Sequence, residues 1–298
     1  MPPVPLTASD KRRAFRAGLA SGQLLRVPGA FSPLAARLIE DEGFDGIYLS
    51  GAVLSAELGL PDPGFTPLDE VAGRGHQIAR ATDLPSLIDV EDGFGAPINA
   101  ARTLGMLEDL GFAGCFIADR PDPGCGGRFD QTGVVETVAM VRRISAAVEA
   151  RRDADFVLCA RTDASAGEGL NAAIARAKAY RDVGADLIFA EAVADERGFE
   201  AFRRALPDTP LLASMAEFAP AKLLTARTLR NLGINIVIYP ATLLRLAMAS
   251  AEVGLKTIQI EGSQASVIER MQPRARLHDL LCPREGRRFD AGTVVSPL

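Results

Sequence analysis

Four times along this chain a charged, helix-like segment ends in glycine and runs straight into a short apolar stretch: DEGFDGIYLSG, EDLGFAGCFIAD, RDVGADLIFAEA and NLGINIVIYP. The glycines are Gly43, Gly111, Gly184 and Gly233. A glycine just past a helix end takes the left-handed conformation that caps the last turn. The unbroken apolar run behind it is the mark of a strand covered on both faces. LLRVPGA, PSLIDV, DFVLCAR and TPLLAS are further strand candidates. Together they make eight, near residues 25–30, 46–50, 86–90, 115–119, 156–161, 187–191, 210–214 and 234–239. Helical periodicity fills the segments between them, as in LNAAIARAKAYRDV and TVAMVRRISAAVEAR. Eight alternating units predict an α/β chain folded as a closed (β/α)8 TIM-type barrel, with an open parallel sheet as the competing arrangement.

No low-complexity linker divides the 298 residues, so one domain spanning 1–298 is expected. Beyond the eighth strand the pattern is helical only (TLLRLAMASAEVGLKTIQIEG, then QASVIERMQ). A C-terminal helical extension over about 241–298 therefore exceeds a standard barrel. Surplus helix of this kind packs on a neighbouring subunit, and a homo-oligomer is expected.

A net charge of −5 gives no reason to expect nucleic acid or an anionic membrane as partner. No apolar run approaches the roughly 18 residues of a membrane helix, and Met1 to Arg16 has no apolar signal core. The cytoplasm is the expected location. With only His76 and His278 present, a His-rich metal site or a Ser-His-Asp triad has little to work with. His76 lies in a predicted helix and reads as structural. Cys115 and Cys159 sit inside apolar runs and read as buried small hydrophobes, whereas Cys125 stands in the Gly- and Pro-rich loop RPDPGCGGRFDQTG.

In a parallel barrel the chemistry collects at the C-terminal ends of the strands. Those ends carry Tyr48, Ser50 and Gly51; Asp89, Glu91 and Asp92; Asp119 and Arg120; Arg161 and Asp163; Glu191; Ser214 and Glu217; and Tyr239. Oxygen donors without histidine suit a hard cation such as Mg2+, with Mn2+ as an alternative. Arg161 is placed to clamp a substrate carboxylate with its planar fork. Singly, each acid could equally cap the next helix. The Cys125 loop reads as a lid over the mouth, and a thiol there can act as acid, base or nucleophile.

IYLSGA, LGLPDPG, IDVEDGFG, the CGG loop, CARTDA, IFAEAV, the EF of ASMAEF, IYPAT and IEGSQASVIERMQ follow one another over nearly the whole chain. In that order they resemble the isocitrate lyase and phosphoenolpyruvate mutase superfamily, and within it the methylisocitrate lyases. The resemblance implies a barrel whose last helices are exchanged between subunits, usually in a dimer of dimers. It also implies Mg2+ at the ends of strands two to four and a small carboxylate substrate held as a 2-oxo acid or its enolate. Residue by residue, it assigns Asp89 as direct metal ligand, Asp62 to metal-bound water, and Glu91 to the second Asp of an Asp-x-Asp pair. Ser50 and Gly51 would bind the substrate carboxylate, Tyr48 would line the pocket, and Arg161, Glu191 and Ser214 would contact substrate. Cys125 stands at the position of the catalytic cysteine.

Four departures accompany the resemblance. The family's Lys-(Lys or Arg)-Cys-Gly-His lid is Pro123-Gly124-Cys125-Gly126-Gly127 here, its strand-four Glu is Ala118, its metal-side Asp is Glu91, and an Asn is Ser214. The expected activity is retro-aldol cleavage of a hydroxylated di- or tricarboxylate. The alternatives are an oxaloacetate-type hydrolase or decarboxylase, a C–P bond enzyme, and a non-catalytic carboxylate-binding barrel.

Overall fold

The computed structural model describes residues 6–61, 66–121, 133–217 and 222–282. All eight expected strands form: β1 (Leu25–Pro28), β2 (Ile47–Leu49), β3 (Ser86–Asp89), β4 (Gly114–Ala118), β5 (Val157–Thr162), β6 (Leu187–Ala190), β7 (Leu211–Ser214) and β8 (Ile236–Tyr239). Every pairing is parallel and each strand lies beside its sequence neighbour. β1 also pairs with β8, from Leu25↔Ile236 to Pro28↔Tyr239. A bridge between Gly29 and Tyr48, with the Ala30 N–H donating to the Tyr48 carbonyl at 2.9 Å, closes the ring. The open sheet is thereby excluded.

The helices are α1 (Ala8–Ala20), α2 (Pro33–Asp41), α3 (Gly51–Glu57), α4 (Leu68–Ala79), α5 (Pro97–Asp109), α6 (Thr137–Ala150), α7 (Ala164–Gly167), α8 (Leu170–Asp182), α9 (Glu196–Ala205), α10 (Ala226–Asn231), α11 (Thr242–Glu261) and α12 (Arg274–Leu281). Local chemistry explains their ends. Thr7 and Asp10 form a reciprocal capping box on α1, and Ser32 caps α2 with Pro33 in the first turn. Gly43, Gly111, Gly184 and Gly233 take φ of +72°, +84°, +105° and +74°, the left-handed caps that their positions predict.

Strand alternation divides the core into two shells. Leu25, Val27, Tyr48, Leu87, Phe116, Val157, Cys159, Leu187, Phe189, Leu212, Ile236 and Ile238 fill the barrel interior. Phe15 and Leu19 of α1 join that cluster and plug the N-terminal end. Arg12 pins the plug by donating to the carbonyls of Phe112 (2.8 Å) and Glu108 and to Asp153 (2.8 Å). The opposite parity, including Ile88, Cys115, Ile117, Ala160, Ile188 and Val237, packs outward against the helices. Cys115 and Cys159 are therefore both buried free thiols, one in each shell. His76 lies in α4 with Nδ1 2.9 Å from the Leu110 carbonyl, a structural histidine as expected.

The barrel occupies one compact unit, residues 7–243. The described residues from 244 to 282 belong to a second unit. There the predicted helical extension appears as α11, a 3-10 turn over Ala265–Arg270, and α12. No side chain of α11 is buried, and Leu246, Leu255 and Ile260 are 61%, 68% and 82% exposed. Among the described residues no helix is long and apolar enough to cross a membrane.

Candidate active site

Alternation also decides which strand-tip residues face the mouth. Inward parity on β3 runs from Leu87 to Asp89, on β4 from Phe116 to Ala118, on β5 from Cys159 to Arg161, on β6 from Phe189 to Glu191 and on β7 from Leu212 to Ser214. Tyr48 is the inward residue of β2, and Ser50 follows at the N-cap of α3 without capping it. Tyr48, Phe116 and Phe189 make an aromatic floor. Tyr48 stacks on Phe116 with ring centroids 6.0 Å apart, and Phe116 meets Phe189 edge-on at 5.3 Å.

Arg161 stands on that floor, its guanidinium carbon 4.9 Å from the Phe189 centroid and 5.6 Å from that of Phe116. Its Nε donates to Asp163 Oδ1 at 2.7 Å and one terminal nitrogen to Asp163 Oδ2 at 3.2 Å. Glu191 Oε2 lies 3.6 Å away on the other side. Arg120 pairs with the same Asp163 carboxylate, so one anion orders two guanidiniums. Burial opposes the ionised form of Asp163, but Arg161 and Arg120 outweigh it and hold the carboxyl below its usual range.

Across the mouth, Asp89 is 6% exposed. Its Oδ1 accepts from the Glu91 N–H at 2.9 Å, and its Oδ2 lies 3.4 Å from the Tyr48 hydroxyl and from the Gly51 N–H. Burial pushes the Asp89 carboxyl up, with Arg161 pulling the other way. Burial, then the Asp89 charge, also drives Tyr48 well above its ordinary value, so it remains a neutral phenol that donates. A methyl group placed on Gly51 would stand 2.6 Å from Glu91 Oε1 and 3.4 Å from Asp89 Oδ2. The two carboxylates therefore converge where only glycine leaves room.

Backbone strain collects at the same rim. Among the described residues the non-glycine positions with positive φ are Glu91 (+49°), Phe94 (+61°) and Ala192 (+55°). All follow β3 or β6, and such strain, of order 1–3 kcal/mol each, concentrates at functional loops.

Not every strand-tip acid faces the mouth. Asp119 has outward parity and is fully buried among Thr162, Tyr180 and Arg176. Asp92 turns to Arg143 at 3.3 Å and to the Phe94 N–H at 2.9 Å, so it braces the loop. Glu217 receives the Thr242 hydroxyl. Asp62 and Cys125 lie outside the described residues. Phe116 and Phe189 of the aromatic floor, and the anchoring role of Asp163, were not read from sequence. All three were legible as the residues two positions from Ala118, Glu191 and Arg161.

Among the described residues no three His, Cys, Asp or Glu side chains gather as a metal cage. Two converging carboxylates, one disfavoured in its charged form by burial, nevertheless fit Mg2+, which typically takes one or two and completes its shell with water and substrate.

The sequence profile of the phosphoenolpyruvate phosphomutase family matches residues 15–259. A protein of Corynebacterium glutamicum named probable 2-methylisocitrate lyase 1 is 54% identical over 280 residues, 94% of this chain and 92% of that protein. The crystal structure of a 2,3-dimethylmalate lyase aligns with a TM-score of 0.85 at 27% identity, over 96% of this chain and 99% of that one. A phosphonopyruvate hydrolase solved with oxalate and Mg2+ aligns with a TM-score of 0.85 at 29% identity, over 96% and 99% of the two chains.

Proposed function

The chain belongs to the phosphoenolpyruvate phosphomutase family, and on that premise we propose that it is a Mg2+-dependent carbon–carbon lyase of the methylisocitrate lyase type. The observation that carries the reading is the opposition, across one aromatic floor, of a fixed guanidinium and a converging carboxylate pair. One half suits a substrate carboxylate, the other a hard cation. Similarity to the Corynebacterium protein supports the choice of substrate class.

Asp89 and Glu91 would hold the ion, with Asp62, outside the described residues, supporting it by the family resemblance, and Mn2+ would suit the same oxygen donors. When bound, the ion supplies neutralisation of the negative charge that gathers on the substrate oxygens. Arg161 clamps the carboxylate next to the reacting carbon, kept in aim by Asp163 and Glu191. Ser50 and Gly51, at the start of α3, take up carboxylate oxygen, and Tyr48 donates from the floor. Ser214 borders the side of the pocket that selects the substrate.

The reaction is a retro-aldol cleavage. A base takes the proton of the substrate hydroxyl, and the C–O bond becomes the carbonyl of the 2-oxo acid as the carbon–carbon bond breaks. That bond's electron pair passes to the departing carbon, and the Cys125 thiol protonates that carbon and is left as thiolate. With 2-methylisocitrate the products are pyruvate and succinate. Exposed apolar side chains along α11 support a homo-oligomer; the dimer of dimers with exchanged C-terminal helices, and the cytoplasmic location, rest on the family resemblance.

Pyruvate release from 2-methylisocitrate, followed for the native chain and for Cys125→Ser, tests the mechanism. Loss of the acid lowers turnover about 10²–10⁴-fold; equal turnover removes Cys125 from it. A second reading, hydrolysis of an oxaloacetate-like acid or C–P cleavage, draws on the altered lid and the likeness to phosphonopyruvate hydrolase. Release of oxalate from oxaloacetate, or of phosphate from phosphonopyruvate, with no cleavage of hydroxylated acids, would select it.

A further inference from the structure

Asp119 is one of the strand-tip acids that the active site does not use, and its surroundings give it another task. The residue is 0% exposed and stands on the helix-facing side of β4, where its neighbours of like parity, Cys115 and Ile117, are apolar. Burying a carboxylate in such a place is rarely the most stable choice, since an apolar replacement is often neutral or better. The carboxylate is nevertheless fully engaged. Oδ2 accepts from the Thr162 hydroxyl at 2.7 Å and from the Tyr180 hydroxyl at 2.8 Å, with Arg176 3.7 Å away. Oδ1 accepts from the Asp163 N–H at 2.9 Å.

The main chain completes the grip. The Asp119 N–H donates to the Arg161 carbonyl at 3.1 Å, and the Asp119 carbonyl accepts from the Val135 N–H at 2.8 Å. Arg176 donates to the Val135 carbonyl at 2.7 Å. Asp119 therefore holds Arg161 from its carbonyl, Thr162 from its hydroxyl and Asp163 from its N–H, three consecutive residues at the end of β5. The side chain of the last of these fixes the guanidinium of the first.

We propose that Asp119 is a positioning residue: through Thr162 and Asp163 it sets the aim of Arg161 at the substrate carboxylate, without touching substrate itself. Losses from a supporting residue of this kind run ~10–100-fold. The kinetic arm of the test rests on the lyase reading; a structural arm does not.

In Asp119→Asn the buried charge is gone and the amide cannot accept all three hydrogen bonds. The expected result is a ~10–100-fold fall in kcat/KM on 2-methylisocitrate. In an Arg161→Lys background the same change has no further effect, because both act through one guanidinium. Additive losses in that double-mutant cycle would overturn the proposal, as would unchanged kcat/KM in a folded Asp119→Asn protein. Tyr180→Phe spares the bonds to Thr162 and Asp163 and lowers kcat/KM by less than tenfold; a loss as large as that of Asp119→Asn would also contradict the assignment. Crystal structures of the native chain and Asp119→Asn supply the arm independent of activity. A displaced Asp163–Arg161 pair is expected, and an unmoved pair refutes the inference even if the lyase reaction is confirmed.

Discussion

Under the proposed metal-binding role, Asp89 carries opposite demands for stability and for activity. Burial raises its carboxyl above the unfolded value of 3.8, so the folded chain binds that proton more tightly than the unfolded one. The resulting stability is present in full below the unfolded value and is lost as pH rises through the raised folded value. At neutral pH the ionised side chain is thus a local cost until a cation offsets it. Asp89→Asn is expected to raise the melting temperature of metal-free protein at pH 7 and to abolish the further rise on adding Mg2+, both read by differential scanning calorimetry. A lowered midpoint without metal, or a retained Mg2+ shift, contradicts this account of Asp89. Gly51→Ala separates fold from site. The clash falls on the flexible end of Glu91, so the melting temperature changes little while the Mg2+ concentration for half-maximal activity rises several-fold. Asp163 has the reverse sign. Its lowered carboxyl contributes stability above the unfolded value that is lost as pH falls through the folded value. Asp163→Asn removes the anion hydrogen-bonded to the buried Arg161 and costs about 3–5 kcal/mol, the range for uncovering one partner of a buried pair; urea unfolding checks it.

At the scale of elements, the helix–glycine–strand units were legible because each rests on local physics. A left-handed cap needs glycine, and a strand covered on both faces needs an unbroken apolar run. The caps differ in what surrounds them. Nothing lies within 4 Å of a methyl added at Gly43, whereas one at Gly184 meets Val148 Cγ2 at 3.1 Å and Cγ1 at 3.2 Å. Gly43→Ala should cost about 1 kcal/mol of left-handed strain alone, and Gly184→Ala measurably more in the same denaturant titration. Equal costs would mean that the packing of Val148 against Gly184 is not tight. Strand tips were legible for a related reason, since a period of two carries Phe116 to Ala118 and Phe189 to Glu191 on one face. The same period excludes Asp119, which reading the tips as a simple ring overlooked. Asp92 escaped because its direction is set by Arg143, a residue 51 positions later in sequence (143 − 92). Such long-range ion pairs leave no local pattern.

For the whole molecule, a closed ring of eight parallel strands with an aromatic floor is what lets residues far apart in sequence share one mouth. The family resemblance covered nearly the entire chain, and it carried what periodicity could not: the order of the blocks and the roles proposed for Asp62 and Cys125. The helical surplus after β8 was visible as a change of pattern, and its exposed apolar residues motivate the oligomer. Sedimentation equilibrium should give a mass near four chains, and Leu255→Glu with Ile260→Glu should reduce it; a monomer at micromolar concentration contradicts the assembly. The most direct test of the central claim is stoichiometric. Native protein is incubated with 2-methylisocitrate in Mg2+ or in excess EDTA, and pyruvate and succinate are quantified together. Equal amounts of the two products with Mg2+, and none with EDTA or for Asp89→Asn, are predicted. Undiminished cleavage in EDTA, or no cleavage of this or any related hydroxylated di- or tricarboxylate with Mg2+, would contradict it.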